Sequence, residues 1–229
     1  MGKTAFFDGG FFEFLSQLAR NNNREWFQAN KARYESDVRD SMLLFLAALG
    51  PRLHKFAPHF VVDPSPVGGS MMRIYRDIRF ARDKSPSKTA VAAHFHREGK
   101  KGHPAPAYYL HLAPGKSSVG AGIWHPEPPT LRKIRDGMVR DPKRWQRITS
   151  KRTFGSSCGM VGESLKRVPS GYDSDSPVAE DLKRKDLGIA APLTDGQVVG
   201  SDVLGTVVDA YRAFSPFMSF LCEAAGVTL

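Results

Sequence analysis

Basic and large apolar residues are interleaved along residues 70–88, SMMRIYRDIRFARDKSPSK. A charged surface exposed to solvent would not need large apolar residues, and a strand buried in the core would not need charged residues. The mixture therefore indicates that some charged side chains are held against a structured surface. Arginine forks match the geometry of phosphate and carboxylate groups, and neighbouring aspartates orient them. The spacing therefore predicts a site for an anionic ligand. The predicted ligand-binding residues are Arg73, Arg76, Asp77, Arg79, Asp83, Lys84 and Lys88, with Lys166 and Arg167 of a later basic segment closing over them.

A purely structural role for these arginines is the alternative. Alternation at the period of a strand predicts a strand over residues 71–80. Its core face would carry Met72, Ile74, Arg76, Ile78 and Phe80, and its other face Met71, Arg73, Tyr75, Asp77 and Arg79. An arginine on a core face must be paired, because an uncompensated buried charge is costly. A salt-bridge network that closes one edge of a sheet would meet that need without a ligand.

The same residues carry a resemblance to a known family. Arg73, Arg76-Asp77, Arg79-Phe80 and Asp83-Lys84 resemble the RxxRDxRF pattern and following DK pair of domain of unknown function 2461, an uncharacterised family of bacteria and some fungi. FFEFLSQLARNNNREWF, APAYYLHLAPG, GAGIWHPEP and LKRVPSGYDSDSP are also similar to segments of that family, so the resemblance runs nearly end to end. One departure is Ser87, which stands where the family has a tyrosine. The resemblance implies a shared fold and no particular activity.

Helices are predicted at both ends of the chain and strands in the middle. Apolar stripes indicate helices over residues 11–20, 24–49, 131–148 and 201–225, with Asn23, Thr130 and Asp141 as caps and Ser215-Pro216 starting a last helix. After the strand over 71–80, further strands are predicted over 88–96, 107–112 and 119–124, and an edge strand over 187–191. Successive short strands favour an antiparallel meander. The predicted fold class is α+β, a single domain over residues 1–229 with N-terminal helices, a central antiparallel meander sheet and C-terminal helices.

Composition limits the class of protein. The chain has 229 residues, of which 41% are hydrophobic, enough for a sizeable core. Its two cysteines, Cys158 and Cys222, form neither a disulfide framework nor a zinc-ligand spacing, which is typical of a reducing compartment. No apolar run is long enough to span a membrane. We therefore expect a cytoplasmic protein with no membrane partner.

Charge points to anionic partners. The net charge is +10. Residues 70–101 contain nine Lys or Arg residues and three acidic residues, and residues 131–152 contain nine Lys or Arg residues and two acidic residues. Such concentration favours phosphates, carboxylates or nucleic acid. The first segment favours an anionic small molecule. The second suggests, as an alternative, sequence-tolerant nucleic-acid binding by a helix face that carries Arg132, Lys133, Arg135, Arg140, Lys143, Arg144 and Arg147.

No catalytic motif stands out, so the sequence does not decide whether the protein is an enzyme. Residues 154–162 are rich in glycine and serine but lack the order of a phosphate-binding loop, and no GxSxG elbow is present. His94 and His96 share a predicted strand face without a carboxylate or cysteine at ligand spacing. We therefore expect no metal and no cofactor. The oligomeric state does not follow from the sequence.

Overall fold

Helices occupy both ends of the chain and an antiparallel sheet lies between them, which confirms the predicted α+β class. The computed structural model describes residues 5–99, 104–150 and 158–229. The N-terminal helices are α1 (Gly9–Arg20), α2 (Arg24–Ala29), α3 (Lys31–Arg33) and α4 (Ser41–Leu53), with a π-helical stretch, Tyr34–Asp40, between the last two. The later helices are α5 (Pro128–Arg140), α6 (Pro142–Thr149), α7 (Ala179–Leu182), α8 (Asp195–Val199) and α9 (Val203–Ala224). Within the described ranges, no helix is both long and apolar enough to cross a membrane.

Side-chain caps define where several helices begin. Asn23 accepts a hydrogen bond from the backbone N–H of Trp26, and Asp141 accepts one from Arg144, as predicted. The prediction that Thr130 caps α5 is wrong, because that helix already begins at Pro128. Proline suits the first helical turn, where its fixed φ fits and its missing N–H is not needed.

The sheet has five strands: β1 (Val91–His96), β2 (Ala107–Leu112), β3 (Ser117–Ile123), β4 (Gly159–Val161) and β5 (Leu187–Leu193). All pairs are antiparallel in the order β1-β2-β3-β5-β4, so the predicted meander is confirmed for β1 to β3. The prediction of an edge strand over 187–191 is wrong, since β5 lies between β3 and β4. Its alternating Leu187, Ile189 and Leu193 are buried in the core, as an inner strand requires.

One long helix, α9, lies against the inner face of the sheet. Its Val207, Tyr211, Phe214 and Phe217 are buried, and the Tyr211 hydroxyl donates to the backbone oxygen of Tyr109 at 2.9 Å. Ser215 and Pro216 do not start a new helix, because the helix continues through them from Val203 to Ala224. Phe214 before the proline and Phe217 and Met218 after it are buried, so core packing holds the helix together although Pro216 removes one backbone hydrogen bond.

The predicted strand over residues 71–80 is absent, and this is the main correction to the fold. Met71 alone bridges to β1, opposite Ala93. The chain then folds into a short hairpin in which the backbone N–H of Lys88 donates to Ile74 and Tyr75 lies opposite Ser87. We call residues 73–88 the arginine hairpin. Of the predicted core face only Ile74 is buried, and Phe80 is 96% exposed.

Candidate functional site

A cleft of about 460 Å³ lies between α2 and the arginine hairpin. Its polar wall is formed by Arg24, Gln28 and Arg76, and no acidic residue is among the described residues that line it. Its apolar surface is formed by Phe27, Tyr75, Ile78 and Pro86, next to Ser87. The ring of Tyr75 meets that of Phe27 edge to face, with 5.5 Å between centroids. The cleft therefore combines guanidinium groups with an aromatic and aliphatic surface.

Asn22 fastens the arginine hairpin to the turn between α1 and α2. Its side-chain Nδ2 donates to the backbone oxygen of Ser87 at 2.8 Å, and the backbone N–H of Ser87 donates to Asn22 Oδ1 at 3.0 Å. Both bonds use the backbone of Ser87, which is 2% exposed. The run Asn21-Asn22-Asn23 is thus more than a turn between helices, because its middle residue ties the arginine hairpin to the N-terminal helices.

The two aspartates of the hairpin each hold one arginine. Asp83 forms an ion pair with Arg76 and also accepts hydrogen bonds from the backbone N–H and the hydroxyl of Ser85, at 2.9 and 2.6 Å. Arg79 forms a bidentate ion pair with Asp77, in which its Nε donates to Oδ1 at 3.0 Å and its Nη2 donates to Oδ2 at 2.8 Å. The Ser85 bonds and then Arg76 hold the pKa of Asp83 well below its usual value, and Arg79 lowers the pKa of Asp77. Both carboxylates are therefore ionised at neutral pH.

The remaining cations of the hairpin differ in how they are held. Lys84 donates to the backbone oxygen of Ile78 at 3.0 Å, which closes the loop. Arg73 is exposed, and its charge contributes to the lowered pKa of Asp77. Lys88 is half-buried, and its burial and then the nearby Arg73 lower the pKa of its ammonium group. Arg73 and Lys88 thus lie close enough to repel one another, with Asp77 on the other side of the balance near Arg73.

Lys166 and Arg167 are not brought to the arginine hairpin. Ser164 bridges to Arg184, and the backbone N–H of Leu165 donates to Lys183 at 2.7 Å, so this segment lies beside the end of the sheet formed by β4 and β5. The hairpin lies at the other end, beside β1. Four strand spacings of about 4.8 Å separate the two edges by about 19 Å. The structure therefore places Lys166 and Arg167 too far away to close the cleft.

Part of the basic surface of α5 and α6 is structural. Arg144 makes a bidentate pair with Glu223, at 2.8 Å for both bonds, and its guanidinium lies 5.4 Å from the ring centroid of Phe220. Arg135 donates to the backbone oxygen of Arg184 at 2.9 Å. These two arginines fasten the helices to the rest of the fold. The other described cations on this face are exposed to solvent: Arg132, Lys133, Arg140, Lys143 and Arg147.

Sequence reasoning missed Arg24 and Gln28 as members of the cleft. Both lie on α2, and the only local signal was that this helix begins directly after Asn23. It also missed Asp186, a fully buried carboxylate. Asp186 accepts the backbone N–H groups of His125 and Glu163, at 2.8 and 3.1 Å, and lies 3.3 Å from Nδ1 of His125, which has a φ of +47°. That carboxylate fixes the end of β3 against the connection to β5.

The two cysteines are free and buried. Burial raises the pKa of Cys222 to about 11 and also raises that of Cys158. A thiol with a raised pKa is a poor nucleophile at neutral pH. Among the residues described, no three His, Cys, Asp or Glu side chains are grouped to hold a metal ion.

Comparison with known proteins agrees with the resemblance noted from the arginine pattern. The sequence model of one protein family, described as "Conserved hypothetical protein (DUF2461)", matches residues 10–220. No curated protein matches the chain. The match covers the helices of both ends, the whole sheet and the arginine hairpin. The chain therefore belongs to the conserved hypothetical family of domain of unknown function 2461.

Proposed function

We propose that the cleft between α2 and the arginine hairpin binds a small molecule that carries a phosphate or a carboxylate. The observation that carries this proposal is the lining of the cleft, where Arg24 and Arg76 stand beside an aromatic and aliphatic surface without an acidic residue. Guanidinium groups bind phosphate and carboxylate with paired, charge-assisted hydrogen bonds. The apolar surface of Phe27, Tyr75 and Pro86 suits an organic body attached to that anionic group.

Arg76 is oriented by an ion pair within the arginine hairpin. Ser85 holds Asp83, and Asp83 holds Nη1 of Arg76. A guanidinium has five N–H groups in a fixed fork, so this contact leaves donors at Nε and Nη2. A guanidinium that is already ordered loses less conformational entropy on binding than a free one. Arg73 and Lys88 belong to the same hairpin and add to its positive potential, which favours an anion.

The proposed activity is ligand binding. The two free cysteines favour a cytoplasmic location for the protein. The experiment is a thermal-shift and calorimetric titration of the purified chain against inorganic phosphate, nucleotides, sugar phosphates and aliphatic and aromatic carboxylates, at low and high salt. We expect one class to raise the melting temperature and to keep its effect in high salt, because a cleft-bound ion is screened less than a surface pair.

Variants decide whether the cleft is responsible. Arg24→Gln removes a guanidinium that makes no ion pair in the described structure, so we expect roughly tenfold weaker binding with the melting temperature of the free protein unchanged. Arg140→Gln, at an exposed position on α5, is the matched control and should bind normally. Two results would contradict the proposal: an equal loss of affinity in both variants, or no anion that stabilises the protein. The arginine hairpin would then be a structural network only.

A second candidate function is sequence-tolerant binding of nucleic acid by α5 and α6. The observation that favours it is a set of exposed cations without ion pairs in the described residues: Arg132, Lys133, Arg140 and Lys143. The panel therefore includes short DNA and RNA. Stabilisation by polynucleotides alone, erased by salt and weakened in Lys133→Gln, would favour this function over the cleft.

A further inference from the structure

Tyr75 presents an exposed aromatic ring on the wall of the cleft. The residue is 47% exposed, although its ring packs edge to face with that of Phe27, which is only 2% exposed. Phe27 in turn contacts the rings of Phe14 and Tyr34, with centroids 6.5 and 5.3 Å away. The aromatic core of the N-terminal helices therefore supports the Tyr75 ring, and nearly half of the residue stays open to solvent.

Backbone hydrogen bonds of the arginine hairpin hold Tyr75 in place. The N–H of Arg76 donates to the backbone oxygen of Pro86 at 2.9 Å, and the N–H of Lys88 donates to that of Ile74 at 2.8 Å. These two bonds lie on either side of Tyr75 in the hairpin. A ring on an ordered backbone loses little conformational entropy when a ligand stacks on it, so Tyr75 is prepared for a planar partner.

Gln28 adds an amide group to the same cleft. It lies four residues after Arg24 on α2, so the two side chains leave the same face of the helix, with about 5–6 Å between their Cβ atoms. Gln28 is exposed, so its amide is accessible to a ligand. A glutamine amide carries a donor and an acceptor side by side, which matches the edge of a nucleobase such as adenine.

The charge of the cleft suits a phosphate monoester. Such a group carries a charge of about −1.5 to −2 at neutral pH. Two guanidinium groups, those of Arg24 and Arg76, line the cleft, and the arginine hairpin as a whole is positive, with six Lys or Arg residues and two aspartates. A triphosphate would bring more negative charge than these two guanidinium groups balance, so the charge favours a monophosphate.

We propose that the ligand of this cleft is a nucleoside 5′-monophosphate, an inference that rests on the anion-binding function proposed above. The base stacks on Tyr75 and pairs with the amide of Gln28, while the phosphate binds Arg24 and Arg76. A volume of about 460 Å³ is in the range of cavities that hold small organic molecules, so a phosphate ion alone would leave most of it empty. Binding of a phosphate alone would also not need an aromatic ring and an amide beside the arginines.

The test is calorimetric titration of the purified full chain with three probes: adenosine 5′-monophosphate, ribose 5-phosphate and adenosine. Stacking of a base on an aromatic side chain changes affinity by roughly fivefold to a hundredfold. We therefore expect the nucleotide to bind at least about fivefold more tightly than ribose 5-phosphate, which has the phosphate without the base. Adenosine should also bind more weakly than the nucleotide, because it lacks the group that Arg24 and Arg76 hold.

Two variants test the contacts to the base. Tyr75→Leu removes the aromatic ring but keeps an apolar side chain, and Gln28→Ala removes the amide. We expect each to lower the affinity for the nucleotide roughly fivefold and to leave the affinity for ribose 5-phosphate unchanged, which also shows that the cleft is still folded. Trp124→Leu, which removes an exposed aromatic ring after the end of β3, is the matched control and should bind the nucleotide normally.

Three outcomes would overturn this inference. Equal affinities for the nucleotide and ribose 5-phosphate would show that the base is not recognised, and the anion-binding proposal would stand without it. An equal loss of nucleotide binding in Trp124→Leu and Tyr75→Leu would show that the base does not stack in the cleft. If none of the three probes binds, the ligand is not a nucleotide, and the panel of other phosphates and carboxylates decides separately on the anion-binding proposal.

Discussion

At the scale of single residues, the candidate site depends on contacts between residues far apart in sequence. Asn22 pairs with the backbone of Ser87 across 65 positions, and Arg24 and Arg76 line the same cleft. Each backbone group of Ser87 that Asn22 satisfies would otherwise be buried without a partner. Such a group costs more to leave unpaired than the bond itself contributes to stability.

Replacing Asn22 by alanine tests this contact. Asn22→Ala leaves both backbone groups of Ser87 without their partner, so we expect the free energy of unfolding to fall by about 2 kcal/mol. Urea denaturation followed by circular dichroism measures the change. Asn21→Ala is the control, because the Asn21 side chain makes an exposed bond to Gln17 within its own helix end, and its loss should cost much less. Equal losses would show that Asn22 does not fasten the arginine hairpin.

At the scale of elements, the arginine hairpin shows how charge overrides a strand pattern. Asp77 and Asp83 find their arginines within the same loop, so residues 77–85 close on themselves and leave the sheet. Neighbouring β1 follows its pattern, with Val91, Ala93 and Phe95 buried and His94 on the opposite face of the strand. A strand forms where alternating apolar side chains have a core to fill, and a loop forms where charged side chains have local partners.

The histidines of β1 and β2 make stability depend on pH. Burial and then the neighbouring His96 lower the pKa of His94. Burial also lowers the pKa of His111. Tyr109 lies opposite His94, and Ala92 and Ser118 lie opposite His111, so no carboxylate faces either ring from the paired strands. The unfolded chain therefore binds protons more readily than the folded one below about pH 6.5, and the free energy of unfolding should decrease from about pH 7 to about pH 5.

Thermal melts across this pH range measure this dependence. We expect the double variant His94→Gln with His111→Gln to flatten the profile in this range. His54→Gln, at an exposed position after α4, should leave the slope unchanged. A slope that survives in the double variant would assign the pH dependence to other groups.

At the scale of the whole molecule, one core joins both halves of the chain. α9 contacts α4, α5, α6 and α8 as well as β3. Buried side chains from the first helix to the last belong to a single connected cluster. A structure organised in this way unfolds as one cooperative unit, because neither half retains a core without the other.

Truncating the central helix tests this cooperativity. Phe217→Ala removes a fully buried ring, and we expect it to lower the free energy of unfolding by about 3–5 kcal/mol. In single-tryptophan variants, Trp26 in the N-terminal helices and Trp145 in α6 should report the same urea midpoint before and after the change. A lower midpoint at Trp145 with no shift at Trp26 would mean two independently folding halves.

The sequence alone determined the fold class, the helix stripes and the strands of the meander. These follow from apolar periodicity, which needs no knowledge of distant partners: Tyr108, Leu110 and Leu112 alternate inward along β2 as predicted. The caps at Asn23 and Asp141 were also legible, because a cap and its backbone partner lie within three residues. The arginine pattern located the region of the candidate site for the same local reason.

The tertiary structure decided which residues share the site. It brought Arg24 and Gln28 to the arginine hairpin and left Lys166 and Arg167 at the far edge of the sheet. It also placed β5 inside the sheet. These arrangements depend on contacts between segments dozens of residues apart, and no local periodicity records such contacts. The free energy that selects them comes from burying one common core, so it belongs to the folded chain as a whole.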